Sequence, residues 1–208
     1  MALQKLELQK QKSYHTEIVG RFKNYNLMLY GFIFSIASLF LVCSSSYIYV
    51  RWDMRTKDIL YVSNIFVINT VVIFLSSTCL RKTSEYFSLH NFKRYKISLL
   101  ATFILGWAFL IGQVVAWYDT WQHDFNLQDM SAAFLYVITG LHAIHLLAGM
   151  LFLTYFSLHT FKKLTHYAFS VVYFTDPVAE LQLKNFAIYW HFLTGVWLLV
   201  FGIIFLVR

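Results

Sequence analysis

The chain has 208 residues, of which 59% are hydrophobic and 13% charged, whereas soluble domains carry about 25% charged residues. This composition excludes an ordinary soluble domain and favours an integral membrane protein. The formal net charge of +7 does not indicate nucleic-acid binding. The basic residues lie beside apolar stretches, where membrane orientation and anionic lipid headgroups account for them.

Five apolar stretches divide the chain. Each is long enough to cross a hydrocarbon core of about 30 Å as an α-helix, which takes about 20 residues. A β-barrel would need strands of about ten residues that alternate in polarity, whereas these stretches are apolar on every side. The sequence therefore predicts an all-α integral membrane bundle with five transmembrane helices, at residues 27–50, 59–80, 97–117, 131–161 and 186–207.

The basic residues are distributed unequally between the two sides of this predicted bundle. Thirteen of the 17 Lys and Arg residues lie in the N-terminal arm and in the second and fourth connections, and the other four lie on the opposite side. Because cytoplasmic segments carry the excess of Lys and Arg, we expect the N-terminus inside and the C-terminus outside. Residues 1–26 are then a basic cytoplasmic arm, at the surface or disordered, and residues 27–208 are the transmembrane domain.

Two predicted helices carry histidines on one face together with small residues. In the fourth helix, His142, His145 and Gly149 fall within an arc of about 60°. The fifth helix has His191, Thr194, Gly195 and Gly202 on one face. In lipid, small residues let helices approach closely, and His and Thr side chains hydrogen-bond across the contact. The first interpretation is structural: these faces are helix contacts, Trp190 and Trp197 pack beside them, and the chain has no catalytic, cofactor-binding or metal-binding residue.

Two other interpretations stay open at this point. A haem b electron carrier would hold its haem between imidazoles of two helices, and His145 and His191 are the candidate pair. The fifth helix has only one histidine, and His159 lies near the end of the fourth span. A small membrane transporter is the third interpretation, although carriers commonly have broken helices and polar sites at the midplane. None of the five predicted spans contains Asp or Glu.

Several segments together resemble subunit III of the haem-copper terminal oxidases, the cytochrome c oxidase and quinol oxidase family. The segment from Thr139 to Gly149 is similar to the family's T-G-x-H-x-x-H-x-x-x-G motif, and the segment from Tyr189 to Trp197 to its Y-W-H-F-x-x-x-x-W motif. Phe66 to Ser77 resembles the N-T…S-S helix, and Gly106 to Trp117 resembles the helix that follows it. The first helix, from Leu29 to Arg51, matches more loosely. These matches follow the family's order along most of the chain.

The resemblance implies the short bacterial form of the family, whose five helices correspond to the last five of the seven in longer members. Subunit III is an accessory subunit without haem or copper. It packs beside subunit I, supports proton uptake into it and protects it from inactivation during turnover. The haems and copper belong to the partner subunits I and II of a complex that reduces oxygen to water and pumps protons. Its electron donor, cytochrome c or quinol, is not determined by this chain.

On this resemblance we expect a multi-pass protein of the bacterial inner membrane. Its expected partners are subunits I and II, a small further subunit, a larger respiratory supercomplex and lipids, with no nucleic acid. Basic residues of the inner connections, such as Arg94 and Lys96, are candidates for contacts with phospholipid headgroups.

The chain departs from the family's pattern at three positions. Ser35 is followed by Ile36, where members often have a buried glutamate, and Thr194 stands where an aspartate is common. Lys184 lies near the position of another common glutamate. These differences fit a scaffold and lipid-facing subunit better than a proton carrier.

Overall fold

The structure is a computed structural model, and it describes residues 2–53, 63–122, 130–163, 173–174 and 177–207. Nearly all of these residues lie in five α-helices, and no strand occurs among them. The helices are α1 (Ala2–Asp53), α2 (Ile65–Ser88), α3 (Phe92–Gln122), α4 (Met130–Lys163) and α5 (Pro177–Val207). Each of the five is long and apolar enough to cross a membrane, which confirms the prediction of an all-α protein with five spanning helices.

Every helix extends beyond its predicted apolar stretch at one end or both, and α2 is also shifted towards the C-terminus. Its predicted span was 59–80, but the helix begins at Ile65 and ends at Ser88, and residues 59–62 lie outside the described residues. Arg81 and Lys82, which the sequence placed in a connection, belong to the last third of α2. Hydropathy locates the part of a helix that matches the hydrocarbon core, whereas the backbone hydrogen bonds continue through the charged flank.

A three-residue turn, Leu89 to Asn91, joins α2 to α3. His90 adopts a positive φ of 54°, and the backbone N–H of Asn91 donates to the carbonyl of Tyr86 at 3.0 Å. This is the pattern of a helix end closed by one left-handed residue. The side chain of Asn91 then accepts a hydrogen bond from the backbone N–H of Arg94 at 3.2 Å and caps the start of α3. The short turn makes α2 and α3 antiparallel neighbours.

Helices α2 and α3 pack along a heptad pattern of buried side chains. On α2 the buried positions alternate at three- and four-residue intervals, and those of α3 do the same. On α2 these positions are Phe66, Asn69, Ile73, Ser76, Leu80, Thr83 and Phe87, and on α3 they are Tyr95, Leu99, Thr102, Gly106, Phe109, Gln113, Ala116 and Thr120, while Ser77 and Ser98 are buried beside them. This spacing is the one that keeps a seam between two helices in register. Polar and small residues occupy about half of the seam, as expected where lipid covers the outside.

The four helices α2 to α5 pack in a cycle. Helix α2 packs against α3 and α5, and α4 packs against the same two helices. Two hydroxyl groups join α2 and α3 directly: Ser76 Oγ donates to the carbonyl of Thr102, and Ser98 Oγ donates to the carbonyl of Cys79. The core of the bundle therefore lies between these four helices.

Helix α1 is divided between two compact units of the chain, Met1–Ile36 and Ala37–Arg208. In the first unit, the chain is helical from its second residue, so the residues predicted as a basic arm are part of a helix. In the second unit, α1 packs along one stripe, whose buried side chains are Phe40, Ser44, Tyr47 and Val50. Near the end of α1, Arg51 Nε donates to the carbonyl of Val207 on α5 at 3.2 Å.

Candidate functional site

The core of the second unit contains two layers in which polar side chains and large aromatic rings meet. We call the first the His142 layer; it consists of Asn69, Thr70, Phe109, Gln113, Thr139, His142 and Trp197. The second is the His191 layer; it consists of Ser76, Ser77, Thr102, Gly106, Gly149, Met150, Tyr189, Trp190 and His191. On α4, His142 and Gly149 are seven residues apart, so the layers are separated by two helical turns, or about 10 Å.

His142 lies in an aromatic enclosure. Its side chain is fully buried, and its ring centroid is 5.0 Å from that of Trp197 and 5.7 Å from that of Phe109. The ring of Phe40 closes the enclosure from α1 at 6.2 Å. Neither ring nitrogen of His142 has a hydrogen-bond partner among the described residues. Aromatic side chains from α1, α3 and α5 therefore contact this imidazole, which makes no hydrogen bond to a described residue.

The neighbouring polar groups of the His142 layer are hydrogen-bonded between helices. Trp197 Nε1 donates to Thr70 Oγ1 at 3.0 Å, which joins α5 to α2. Asn69 Nδ2 donates to the carbonyl of Phe109 at 3.4 Å, which joins α2 to α3. A Cβ added to Gly112 would collide with the Asn69 amide, so only glycine lets the two helices approach this closely. The two hydrogen bonds, Trp197 to Thr70 and Asn69 to Phe109, satisfy polar groups that the surrounding lipid cannot hydrate.

Thr139 connects the layer to the end of the bundle. Trp117 Nε1 on α3 donates to Thr139 Oγ1 at 3.0 Å, and Thr139 in turn donates to the carbonyl of Leu135. One turn earlier on α4, Tyr136 donates its hydroxyl to the carbonyl of Trp117 at 3.0 Å. These bonds hold the first half of α4 to α3.

The His191 layer has a direct bond between two side chains at its centre. His191 Nδ1 on α5 and Ser77 Oγ on α2 are 2.5 Å apart. Ser77 is buried and His191 is half-buried. The sequence singled out His191 as a contact residue but did not identify its partner.

Glycines bring the helices together in the same layer. A Cβ at Gly149 would lie 3.1 Å from Tyr189 Cε1 and 3.3 Å from Trp190 Cζ3, and one at Gly106 would collide with the sulfur of Met150. The indole of Trp190 is fully buried in this space, and its nitrogen has no hydrogen-bond partner in the described part of the chain. The layer is therefore held by shape as well as by hydrogen bonds.

The two histidines considered as a haem pair, His145 and His191, contact different helices. His145 Nδ1 bonds to the carbonyl of Leu141 at 2.7 Å, and the His145 ring faces Phe40 of α1 at 5.8 Å. His191 faces Ser77 of α2. A haem held by two imidazoles needs both rings on one open space, and these contacts do not fit that arrangement. Among the described residues, no three His, Cys, Asp or Glu side chains are grouped for metal binding.

The remaining residues of the predicted contact faces divide into two groups. Thr194 is buried, and its hydroxyl donates to the carbonyl of Trp190 within α5 at 3.0 Å. Gly195 and Gly202 have open space where a side chain would be, so they do not bring α5 close to another helix of this chain. The prediction that they share the contact face is therefore wrong, because the buried stripe of α5 runs through Trp190, Thr194 and Trp197 instead.

The two candidate lipid contacts lie at the start of α3. The guanidinium of Arg94 is exposed and lies 5.9 Å from the centre of the Tyr86 ring. Lys96 is half-buried. Both follow the short turn between α2 and α3, where the helices end.

The sequence motifs did not identify the polar residues of α2 and α3 as members of the candidate site. Asn69, Ser76 and Thr83 recur at seven-residue intervals on α2, and all three are buried. A seven-residue repeat of polar residues inside an apolar span was a usable signal, since polar groups in lipid face other helices. This signal is weaker than the histidine motifs of α4 and α5, because Ser and Thr are common in membrane helices.

Several curated proteins are similar to this chain, although no protein-family model matches it. Cytochrome c oxidase subunit 3 of Cyanidium caldarium is 28% identical over 199 residues, which are 90% of this chain and 68% of that protein. Cytochrome bo(3) ubiquinol oxidase subunit 3 of Buchnera aphidicola is 25% identical over 86% of this chain and 91% of that protein. A probable cytochrome c oxidase subunit 3 of Rickettsia prowazekii is 30% identical over 67% of this chain, but only 46% of that protein.

The fold and the two layers define a multi-pass helical membrane protein whose intramembrane polar groups largely join its own helices. The relatives make this class more specific. The chain is a homologue of proteins named as subunit 3 of cytochrome c oxidase or of cytochrome bo(3) ubiquinol oxidase.

Proposed function

We propose that this chain is the accessory subunit III of a respiratory haem-copper oxidase in a bacterial inner membrane. In this role it packs beside subunit I of a complex that also contains subunit II, stabilises subunit I and supports its proton uptake. The complex reduces oxygen to water and pumps protons with electrons from cytochrome c or quinol, while this chain has no redox centre. A small further subunit and a larger respiratory supercomplex are additional proposed partners.

The observation that carries this proposal is the homology, which extends over 90% of the chain in one relative. The interior chemistry supports it. His145, His191 and several hydroxyl side chains in the spans bond to other helices or to their own backbone. The carboxylates of the five candidate spans lie near the span ends, at Glu85, Asp119 and Glu180. A bundle whose polar groups hold helices together suits a stabilising subunit better than a proton or electron carrier.

Deletion of the chain from its host, with restoration by a tagged copy, tests the proposal. We expect the tagged chain to co-purify with subunits I and II. Without it, the complex should still reduce oxygen, but its activity should decline faster during continuous turnover. Unchanged inactivation kinetics, or a chain that purifies without any oxidase subunit, would contradict the proposal.

The haem b alternative has a separate readout. The full chain purified alone should be colourless under our proposal. A Soret band that disappears in His145→Ala and persists in His159→Ala would instead establish a haem carrier. Transport activity of the full chain alone in liposomes would support the transporter alternative.

We propose the predicted orientation, with the N-terminus inside, on the distribution of basic residues. A reporter that is active only outside the cytoplasm should therefore be active when fused after Arg208. The same reporter fused within the α2–α3 turn should be inactive. The reverse pattern would overturn the orientation.

We also propose that Arg94 and Lys96 contact the headgroups of anionic phospholipids. The position of both residues at the end of a membrane-spanning helix supports this role. Double substitution to alanine should reduce the anionic phospholipid that co-purifies with the complex. Lys184→Ala is a control because Lys184 is already paired with Glu180 at 2.7 Å. Equal lipid retention in the double variant and the control would count against the contact.

A further inference from the structure

The His142 layer contains unmatched hydrogen-bonding capacity at one place. Gln113 and His142 are both fully buried. Both amide atoms of Gln113 and both ring nitrogens of His142 have no hydrogen-bond partner in the described ranges. The other polar members of the layer are all hydrogen-bonded; they are Asn69, Thr70, Thr139 and Trp197. The unmatched atoms are therefore confined to two side chains, one on α3 and one on α4.

Two observed contacts place these side chains at the same level of the bundle. Phe109 on α3 contacts the His142 ring, and Trp117 on α3 bonds to Thr139 on α4. Gln113 lies midway between Phe109 and Trp117 on the buried face of α3. Thr139 and His142 are one turn apart on α4. Because α3 and α4 are antiparallel neighbours, Gln113 lies at a level of the bundle between these two contacts.

We propose that Gln113 and His142 together bind water in the interior of the bundle, between α3 and α4. The site goes beyond the accessory function, since it is a property of this chain's own core. Buried water in proteins commonly makes about three hydrogen bonds to polar groups that have no other partner.

The chemistry of the unmatched atoms selects water over other ligands. The Gln113 amide offers donors and an acceptor, and a neutral imidazole offers one donor and one acceptor. A water molecule donates and accepts at once, so it can satisfy both side chains. A bound ion would need a side chain of opposite charge beside it. The side chains that surround His142, which are Phe40, Phe109 and Trp197, are aromatic and uncharged. A dry site would leave four polar atoms unpaired within a membrane span, where each is costly.

Water-edited solid-state NMR of the full chain in liposomes tests the proposal. The ring nitrogens of His142 and the side-chain amide of Gln113 should receive magnetisation from water at least about threefold faster than the indole of Trp197, which is bonded to Thr70. Signals are assigned by their loss in His142→Phe and Gln113→Leu. In Gln113→Leu, transfer to the His142 ring should fall to the Trp197 rate.

The matched control is Gln122→Leu, the same substitution on an exposed side chain at the end of α3. It should leave transfer to His142 unchanged. Slow transfer to His142 and Gln113 in the unmodified chain would overturn the proposal. A second measurement does not depend on the variants: a high-resolution density map of the chain within its complex should show a peak within about 2.7–3.2 Å of both side chains. Continuous contact between the Gln113 amide and the His142 ring, without such a peak, would overturn it as well.

Discussion

The His191 layer and the His142 layer lie on the same helices, two turns apart, and they join those helices by different means. In the His191 layer, Gly106 and Gly149 let helices approach until Trp190 fills the space between them, and Ser77 bonds to His191. In the His142 layer, aromatic rings surround an imidazole that makes no direct hydrogen bond to a described residue. The first layer therefore depends on shape and direct bonds, and the second depends on aromatic packing and on the proposed water.

This difference shows that two similar sequence motifs need not have similar energetic roles. His142 is a buried imidazole and His191 a half-buried imidazole in a membrane span. Of the two, only His191 has a hydrogen bond to a described side chain of another helix. Substitutions should consequently cost more in the His191 layer than at His142. The following predictions concern the free energy of unfolding of the purified full chain in detergent, and they run from the largest expected effect to the smallest.

Removing the indole of Trp190 should have the largest effect. Trp190→Ala leaves a cavity between α3, α4 and α5, and we expect a loss of about 3–5 kcal/mol in the free energy of unfolding. Trp52→Ala is the control, because Trp52 is 84% exposed and its substitution should change stability by less than about 0.5 kcal/mol. Equal losses in the two variants would show that the His191 layer does not depend on this packing.

Filling the close approach at Gly149 should have the next largest effect. Gly149→Val places methyl groups against the rings of Tyr189 and Trp190, and overpacking of this kind costs about 1–3 kcal/mol. Gly195→Val makes the same change on α5 in open space. The unfolding midpoint should fall in the first variant and stay near that of the unmodified chain in the second. A comparable fall in both would mean that backbone propensity, and not contact, determines the result.

Removing the Ser77 hydroxyl should have a moderate effect. Ser77→Ala deletes the bond to His191, and hydrogen bonds between membrane helices contribute about 0.6 kcal/mol on average, with a maximum of about 1.7 kcal/mol. Ser45→Ala is matched to it, since the exposed Ser45 hydroxyl bonds only to the carbonyl of Val42 in its own helix. If Ser45→Ala is as destabilising as Ser77→Ala, the interhelical bond has no special role.

The smallest effect is expected at His142. His142→Phe keeps a ring in the aromatic enclosure and removes no direct bond to another described side chain, so stability should change by less than about 1 kcal/mol. His191→Phe should be more destabilising, because it leaves the buried Ser77 hydroxyl without its partner. A result in the opposite order would reverse the comparison between the layers.

Much of the fold followed from local patterns, and their limits are visible at particular residues. Each predicted span overlaps an observed helix, but α2 continues for eight residues beyond its predicted end at Leu80, since charged flanks hide a helix from hydropathy. The candidate site was predicted in part. Gly149, Trp190 and Trp197 lie in the buried core as the stripes suggested, whereas Gln113 lies within the matched segment from Gly106 to Trp117 and was not predicted as a site residue. Whether its amide finds a hydrogen-bond partner depends on the side chains of the neighbouring helices, which the sequence of α3 does not reveal.

The sequence by itself determined the class of the protein and its five helical crossings. Long apolar stretches without acidic residues have no stable place except lipid, and lipid permits only helices or closed barrels. Only the tertiary structure decided which polar groups meet: Ser77 with His191, Thr70 with Trp197, and Trp117 with Thr139. Hydropathy and periodicity are local quantities, whereas these pairings depend on the order and rotation of helices that are far apart in the chain.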